Sequence, residues 1–67
     1  MNEKLIEIFT EILRRATNNY ELHLGLRKII KNPELVHRIN EAIDNDIEIT
    51  RWLCRNINDL KAKQNTK

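Results

Sequence analysis

The sequence contains very few of the residues that break helices, cross-link chains or build catalytic loops. Its 67 residues include one glycine, one proline and one cysteine, with one Phe, one Trp and one Tyr as the aromatic residues. A lone cysteine excludes an internal disulfide, so the chain is not a disulfide-stabilised secreted scaffold. A single glycine also excludes the glycine-rich loops that cradle phosphate groups.

Long apolar runs are absent as well. No stretch approaches the roughly 20 apolar residues of a membrane span, and the N-terminal segment MNEKLIEIFTEI is too acidic for a signal peptide. We therefore expect a cytoplasmic protein that does not associate with membranes. Ile and Asn are abundant, and because AT-rich codons favour both, a low-GC bacterium or one of its phages is the expected source.

The charge is nearly balanced, with a formal net charge of +2 at pH 7. Dedicated nucleic-acid binders usually concentrate Lys and Arg on one face, whereas much of the excess here lies in the last seven residues, KAKQNTK. We predict a single helical domain over residues 1–62, followed by a disordered basic tail over 63–67.

The apolar residues recur every three or four positions and never alternate with period two, which predicts helices and no strands. The clearest boundary is Asn32-Pro33-Glu34. Asn is a good N-cap, proline suits the first helical position, and an acidic residue belongs in the first turn. Softer breaks are possible at 17–19 and 44–46, where capping residues occur without glycine or proline.

Two architectures compete: a compact three- or four-helix domain broken near 17–19 and 44–46, or two long helices over about 3–31 and 33–62. Two heptad rows, stepping by three and four residues, favour the long helices. The first heptad row is Leu5, Ile8, Ile12, Arg15, Asn19, Leu22, Leu26 and Ile29. The second heptad row is Val36, Ile39, Ile43, Asp46, Thr50, Leu53, Ile57 and Leu60. Each row has six apolar positions out of eight, with its polar pair in the middle.

We therefore predict an antiparallel helical hairpin in which the two heptad rows face each other and Arg15 lies near Asp46. Each helix also carries apolar residues outside its row. These are Phe9, Leu13, Ala16, Tyr20 and Leu24 in the first half and Leu35, Ala42, Ile49 and Trp52 in the second. Because leaving them in water is costly, we expect a homodimer that forms a four-helix bundle.

No catalytic or metal-binding constellation is present. His23, His37 and Cys54 are the only soft metal-ligand candidates, and they share no i,i+3 or i,i+4 spacing. We expect Cys54 to be a semi-buried structural thiol. The sequence also lacks a nucleophile elbow and an acidic metal cluster. We therefore predict a non-enzymatic protein without a cofactor, a metal or a small-molecule substrate.

The leading functional hypothesis is a small protein-interaction module, a regulator or inhibitor that binds a larger protein. Trp52 is the foremost anchor candidate because Trp is enriched in binding hot spots, although it is also suited to core packing. The other candidate interaction residues are Tyr20, Leu24, Phe9, Leu13, Arg14, Arg15, Arg27 and Lys28.

The alternative is a nucleic-acid-binding regulator. One form is a helix-turn-helix over residues 33–56, although its supposed turn lacks the usual glycine and its second helix is more acidic than basic. The other is RNA binding by a basic helix face that includes Tyr20. The basic candidates for the two forms are Arg27, Lys28, Lys31, Arg51 and Arg55.

Overall fold

The computed structural model describes residues 2–65, which form two helices: α1 (Asn2–Ile29) and α2 (Pro33–Asn65). The helices pack side by side and antiparallel, and no strand occurs in this part of the chain. The hairpin extends over 54 × 14 × 13 Å and has a radius of gyration of 15.5 Å. A compact domain of this length would have a radius of gyration of about 11 Å. The predicted antiparallel helical hairpin is therefore confirmed, in a markedly elongated form.

The turn between the helices follows the chemistry of Asn32-Pro33. The side-chain Oδ1 of Asn32 accepts hydrogen bonds from the backbone N–H groups of Glu34 and Leu35, at 3.0 and 3.3 Å. Two N–H groups that the first turn of α2 leaves without helical partners are thereby satisfied. α1 ends at Ile29, two residues earlier than predicted, and the backbone N–H of Ile30 still donates to the carbonyl oxygen of Leu26 at 3.0 Å.

Both helices are continuous where short helices were the alternative. α1 runs through 17–19 and α2 through 44–46, so the compact three- or four-helix domain is wrong. Thr17 shows why a capping residue need not end a helix: its Oγ1 donates to the carbonyl oxygen of Leu13, 2.9 Å away, within α1. Without glycine or proline at these positions, continued packing against the other helix outweighs weak local preferences.

α2 also extends beyond its predicted end. It continues to Asn65, so residues 63–65 are helical where we expected the disordered tail to begin. Lys and Gln are good helix formers, and Lys63 lies in the last turn, where a positive charge favours the helix dipole. Residues 66 and 67 lie outside the described part of the chain.

The core is built almost entirely from the second heptad row. Among residues 3–64, the buried residues are Ile43, Asp46, Leu53 and Ile57, and all four belong to that row. Its other members, such as Val36 and Leu60, are half-buried. The predicted packing face of α2 is therefore confirmed.

The predicted packing face of α1 is wrong. The first heptad row is exposed, and α2 instead contacts the positions one residue further along the chain. The half-buried members of that neighbouring set are Ile6, Phe9, Leu13, Ala16, Tyr20, His23 and Ile30. One residue corresponds to a rotation of about 100° around the helix axis, so α1 is turned by that angle from the predicted orientation.

The polar contact between the helices explains this rotation. Asp46 pairs with His23 rather than with the predicted Arg15, and Nδ1 of His23 lies 2.5 Å from Oδ2 of Asp46. Arg15 remains exposed and pairs with Glu11. Because turning α1 places Ala16, Tyr20 and His23 inside in place of Arg15, Asn19 and Leu22, the buried carboxylate gains a partner without burial of a guanidinium.

Candidate protein-interaction surface

The first heptad row forms an open apolar stripe along α1. Its six apolar side chains are 41–75% exposed. They repeat with heptad spacing over nearly the whole helix, which keeps them on one side of it. An exposed apolar stripe of this kind is typical of a surface that packs against another helix.

α2 adds Leu35, Ile49 and Trp52 to the same side of the hairpin. These three residues share one flank of α2, and all are exposed. The Phe9 and Trp52 rings meet edge to face with centroids 5.8 Å apart, which joins that flank to the α1 edge beside Ile8. We call the first heptad row together with Leu35, Ile49 and Trp52 the apolar face.

The opposite side of the hairpin is more polar. There Nη1 of Arg27 donates to Oδ1 of Asn40 across the two helices at 3.2 Å. A shallow pocket on this side is lined by Tyr20, Ile47, Thr50 and Arg51. The large exposed apolar side chains are thus concentrated on one side, and the hairpin as a whole is amphipathic.

The exposed area is large for a chain of this mass. The accessible surface is 5603 Å², whereas a compact monomer of 8.0 kDa exposes about 4,450 Å². The excess is about 1,100 Å², somewhat above the roughly 800 Å² that each partner contributes to a standard protein–protein interface. The elongated hairpin therefore exposes more surface than a compact chain of the same mass.

A charged cluster borders the first heptad row near its middle. Both Arg14 and Arg15 donate to the Glu11 carboxylate, with Nη2 of Arg14 at 2.5 Å and Nε of Arg15 at 3.2 Å. These hydrogen bonds, that of Arg14 foremost, lower the pKa of Glu11 from 4.5 to about 2. The same contact raises the pKa of Arg14. The cluster holds Arg15 at the polar centre of the row.

The His23–Asp46 pair fixes how α1 presents its open stripe. An ionised carboxylate only accepts hydrogen bonds, so Nδ1–H of His23 is the donor. Asp46 is 9% exposed, and no buried side-chain nitrogen or oxygen in the described residues lacks a hydrogen-bond partner. Because a buried carboxylate without its donor is costly, this pair opposes rotation of α1 back to the predicted orientation.

The structure divides the predicted interaction residues into two groups. Phe9, Leu13, Tyr20 and Leu24 are half-buried, and the first three belong to the set that contacts α2. Trp52, like the predicted rim charges, is exposed at the surface. Those rim charges are Arg14, Arg15, Arg27 and Lys28.

The sequence analysis assigned the six apolar residues of the first heptad row to the contact between the helices, so it did not include them among the candidate interaction residues. They are Leu5, Ile8, Ile12, Leu22, Leu26 and Ile29. Leu35 and Ile49 were expected to lie outside that contact but were not named as candidates. The signal was available for α1, because the set one position later also has six apolar members out of eight. Two equivalent stripes on one helix mean that one faces the hairpin partner and the other is left open.

The nucleic-acid candidates do not form one surface. A helix-turn-helix over 33–56 is wrong, since α2 is continuous and has no turn there. Lys28 and Lys31 lie at the turn end with Arg27, which contacts Asn40. Arg51 lies eleven residues beyond Asn40 in α2, which is about 16 Å along the helix at 1.5 Å per residue. Arg55 lies further from the turn than Arg51. The structure therefore separates the basic candidates into two groups.

The histidines and the cysteine occupy unrelated positions. Nε2 of His37 lies 2.9 Å from Oε1 of Glu41 on the exposed surface of α2, whereas His23 pairs with Asp46 between the two helices. Cys54 is exposed and free, which corrects the expected semi-buried thiol. Over the described residues, no group of three or more His, Cys, Asp or Glu side chains is placed to hold a metal ion.

Protein-family models, curated proteins and solved structures contain no match to this chain. Neither helix within residues 2–65 combines the length and apolar character needed to cross a bilayer.

Proposed function

We propose that this chain is a non-enzymatic protein-interaction module that acts by docking its apolar face onto another protein chain. One observation carries the proposal: among residues 3–64, nine large apolar side chains are exposed, and all nine belong to the apolar face. Each apolar side chain of this size gains about 1.5–3 kcal/mol on full burial. A partner that covers the face therefore has a large hydrophobic driving force.

The small core of the hairpin also supports this proposal. Three buried apolar residues, all on α2, form the centre of the described chain. Domains below about 70–80 residues usually need a metal, disulfides or a partner chain for stability. A protein surface, from a larger target or from the predicted homodimer, would extend this core across the apolar face. Action as a regulator or inhibitor and a cytoplasmic location remain predictions.

The test is a comparison of affinity capture with two matched variants. Leu22→Glu places a charge in the apolar face at a 69% exposed position, while Thr10→Glu places the same charge at an exposed position outside it. We expect wild type and Thr10→Glu to retain the same bound proteins and Leu22→Glu to lose them, because burying an unpaired charge is costly. Identical capture by all three forms would contradict the proposal.

Nucleic-acid binding by the basic end of α1 is tested alongside. Fluorescence anisotropy with a mixed-sequence RNA and a DNA duplex, at low and moderate salt, measures any phosphate-driven affinity. The proposal predicts no binding that weakens steeply with salt. Salt-dependent binding that Arg27→Gln and Lys28→Gln reduce would support the RNA-binding alternative instead.

A further inference from the structure

We propose that a second copy of this chain covers the apolar face, an inference that rests on the proposed function. In this arrangement the two α1 helices pack antiparallel about a two-fold axis that passes close to residue 17. Two residues of the first heptad row, one from each copy, then lie at the same height along the helices when their residue numbers add to 34.

The spacing of the first heptad row is compatible with this two-fold pairing. Reading its eight members from either end gives the same steps of three, four, three, four, three, four and three residues. Leu5 is therefore level with Ile29 of the second copy, Ile8 with Leu26, and Ile12 with Leu22. Every apolar residue meets an apolar residue, as a two-fold interface requires of its own surface.

The polar centre favours the same register. Arg15 is level with Asn19 of the second copy, where an amide can accept from a guanidinium. A parallel arrangement in register would instead place two Arg15 side chains together on the axis. Polar residues within a heptad row commonly set register and orientation in this way.

α1 also has a surface pocket that can accept an apolar side chain of the second copy. A shallow pocket on its surface is lined by Ile8, Ile12, Arg15 and Glu11, with Lys4 and Glu7 at its end. Four such residues of one helix form the hole that receives a side chain in coiled-coil packing. In the antiparallel pairing, Leu22 of the second copy is level with the centre of this hole.

The area and the second helix fit the same assembly. The face is about 40 Å long and about 20 Å wide, since it spans one 28-residue helix in length and two helices in width. That gives about 800 Å² per copy, the size of a standard interface. The axis near residue 17 passes close to Ile49 of α2, which places the apolar flanks of the two α2 helices together.

The first experiment determines the mass and the orientation of the untagged chain. Sedimentation equilibrium at micromolar concentration should give twice 8.0 kDa. A spin label at Lys4→Cys, in a Cys54→Ser background, should then give an inter-label distance of about 40 Å by double electron–electron resonance, because 26 residues of helix separate the two sites along the axis. A monomer, a higher oligomer or a Lys4 distance below about 20 Å would overturn the inference.

The second experiment compares Leu22→Glu with Thr10→Glu by sedimentation, with helicity followed by circular dichroism. We expect Leu22→Glu to raise the dimer dissociation constant by about 100-fold or more and Thr10→Glu to change it by less than about threefold. Equal dissociation constants would contradict the assigned face even if Lys4 labels lie far apart. If the wild-type chain is a monomer and Leu22→Glu still abolishes the capture of a different protein, this inference is overturned and the proposed function stands. If Leu22→Glu changes neither the captured proteins nor the dimer dissociation constant, both proposals are contradicted.

Discussion

The two helices have heptad rows of equal apolar count, yet they use them in opposite ways. α2 directs its row into the hairpin and contributes all four buried residues of the described chain. α1 directs its row outward and contributes six of the nine large exposed apolar side chains. The difference arises because α1 has two neighbouring apolar stripes and α2 has one dominant stripe. A helix with two stripes can pack against two partners, so α1 is the element through which this hairpin is expected to associate.

The strongest test of this asymmetry replaces one leucine of each helix, at the contact between α1 and α2, with alanine. Leu53 of α2 is 1% exposed, and Leu53→Ala should cost about 2–5 kcal/mol through lost burial and a cavity. Leu13→Ala, at a half-buried position of α1, should cost about 1–2 kcal/mol. Urea unfolding followed by circular dichroism, at one protein concentration for all forms, measures both changes. Equal losses would mean that α1 contributes as much to the core as α2.

The rotation of α1 depends on the polar pair. His23→Ala leaves the carboxylate of Asp46 buried without its donor and should cost about 1–3 kcal/mol. The matched control is His37→Ala, which removes a histidine–carboxylate contact on the exposed surface of α2 and should cost less than about 0.5 kcal/mol. The same unfolding measurement applies. Equal effects of the two substitutions would show that the His23–Asp46 pair has no special role in the hairpin.

Trp52 separates core packing from surface binding. It is 52% exposed and contacts Phe9, so Trp52→Ala should leave the hairpin folded and cost about 1 kcal/mol of helix–helix packing. We expect it also to weaken association through the apolar face, as sedimentation equilibrium can determine. Complete loss of helicity would instead identify Trp52 as a core residue of the isolated hairpin.

The smallest expected effect concerns the charged cluster of α1. Because the pKa of Glu11 is lowered to about 2 in the folded chain, the ionised carboxylate contributes stability above its ordinary pKa of 4.5. This contribution is lost as the pH falls from there through about 2. Glu11→Gln should therefore lower the melting temperature slightly at pH 6, and this difference should shrink as the pH falls to about 2, where half of the folded chains carry a protonated Glu11. The difference at pH 6 should shrink in high salt, because all three groups are exposed. A difference in melting temperature that does not shrink between pH 6 and pH 2 would point to a cause other than charge.

Local sequence signals predicted most of the secondary structure. The Asn32 cap, Pro33 at the start of α2 and the second heptad row all behave as expected, because each depends on short-range geometry or on one dominant stripe. The breaks at 17–19 and 44–46 were genuine alternatives, and only packing along the whole hairpin excludes them. For the candidate site, Trp52 was found from residue type alone, whereas Leu22 and Ile29 were assigned to the wrong side of α1.

The sequence by itself determined two helices, their junction and the inward face of α2. The tertiary structure alone decided which stripe of α1 faces α2, since both stripes have six apolar members and periodicity cannot rank them. The deciding contact is between residues 23 positions apart, where His23 satisfies a carboxylate that α2 buries. A single long-range hydrogen bond to a desolvated charge can thus select between two hydrophobic faces of equal merit, and it leaves the other face available for a second chain.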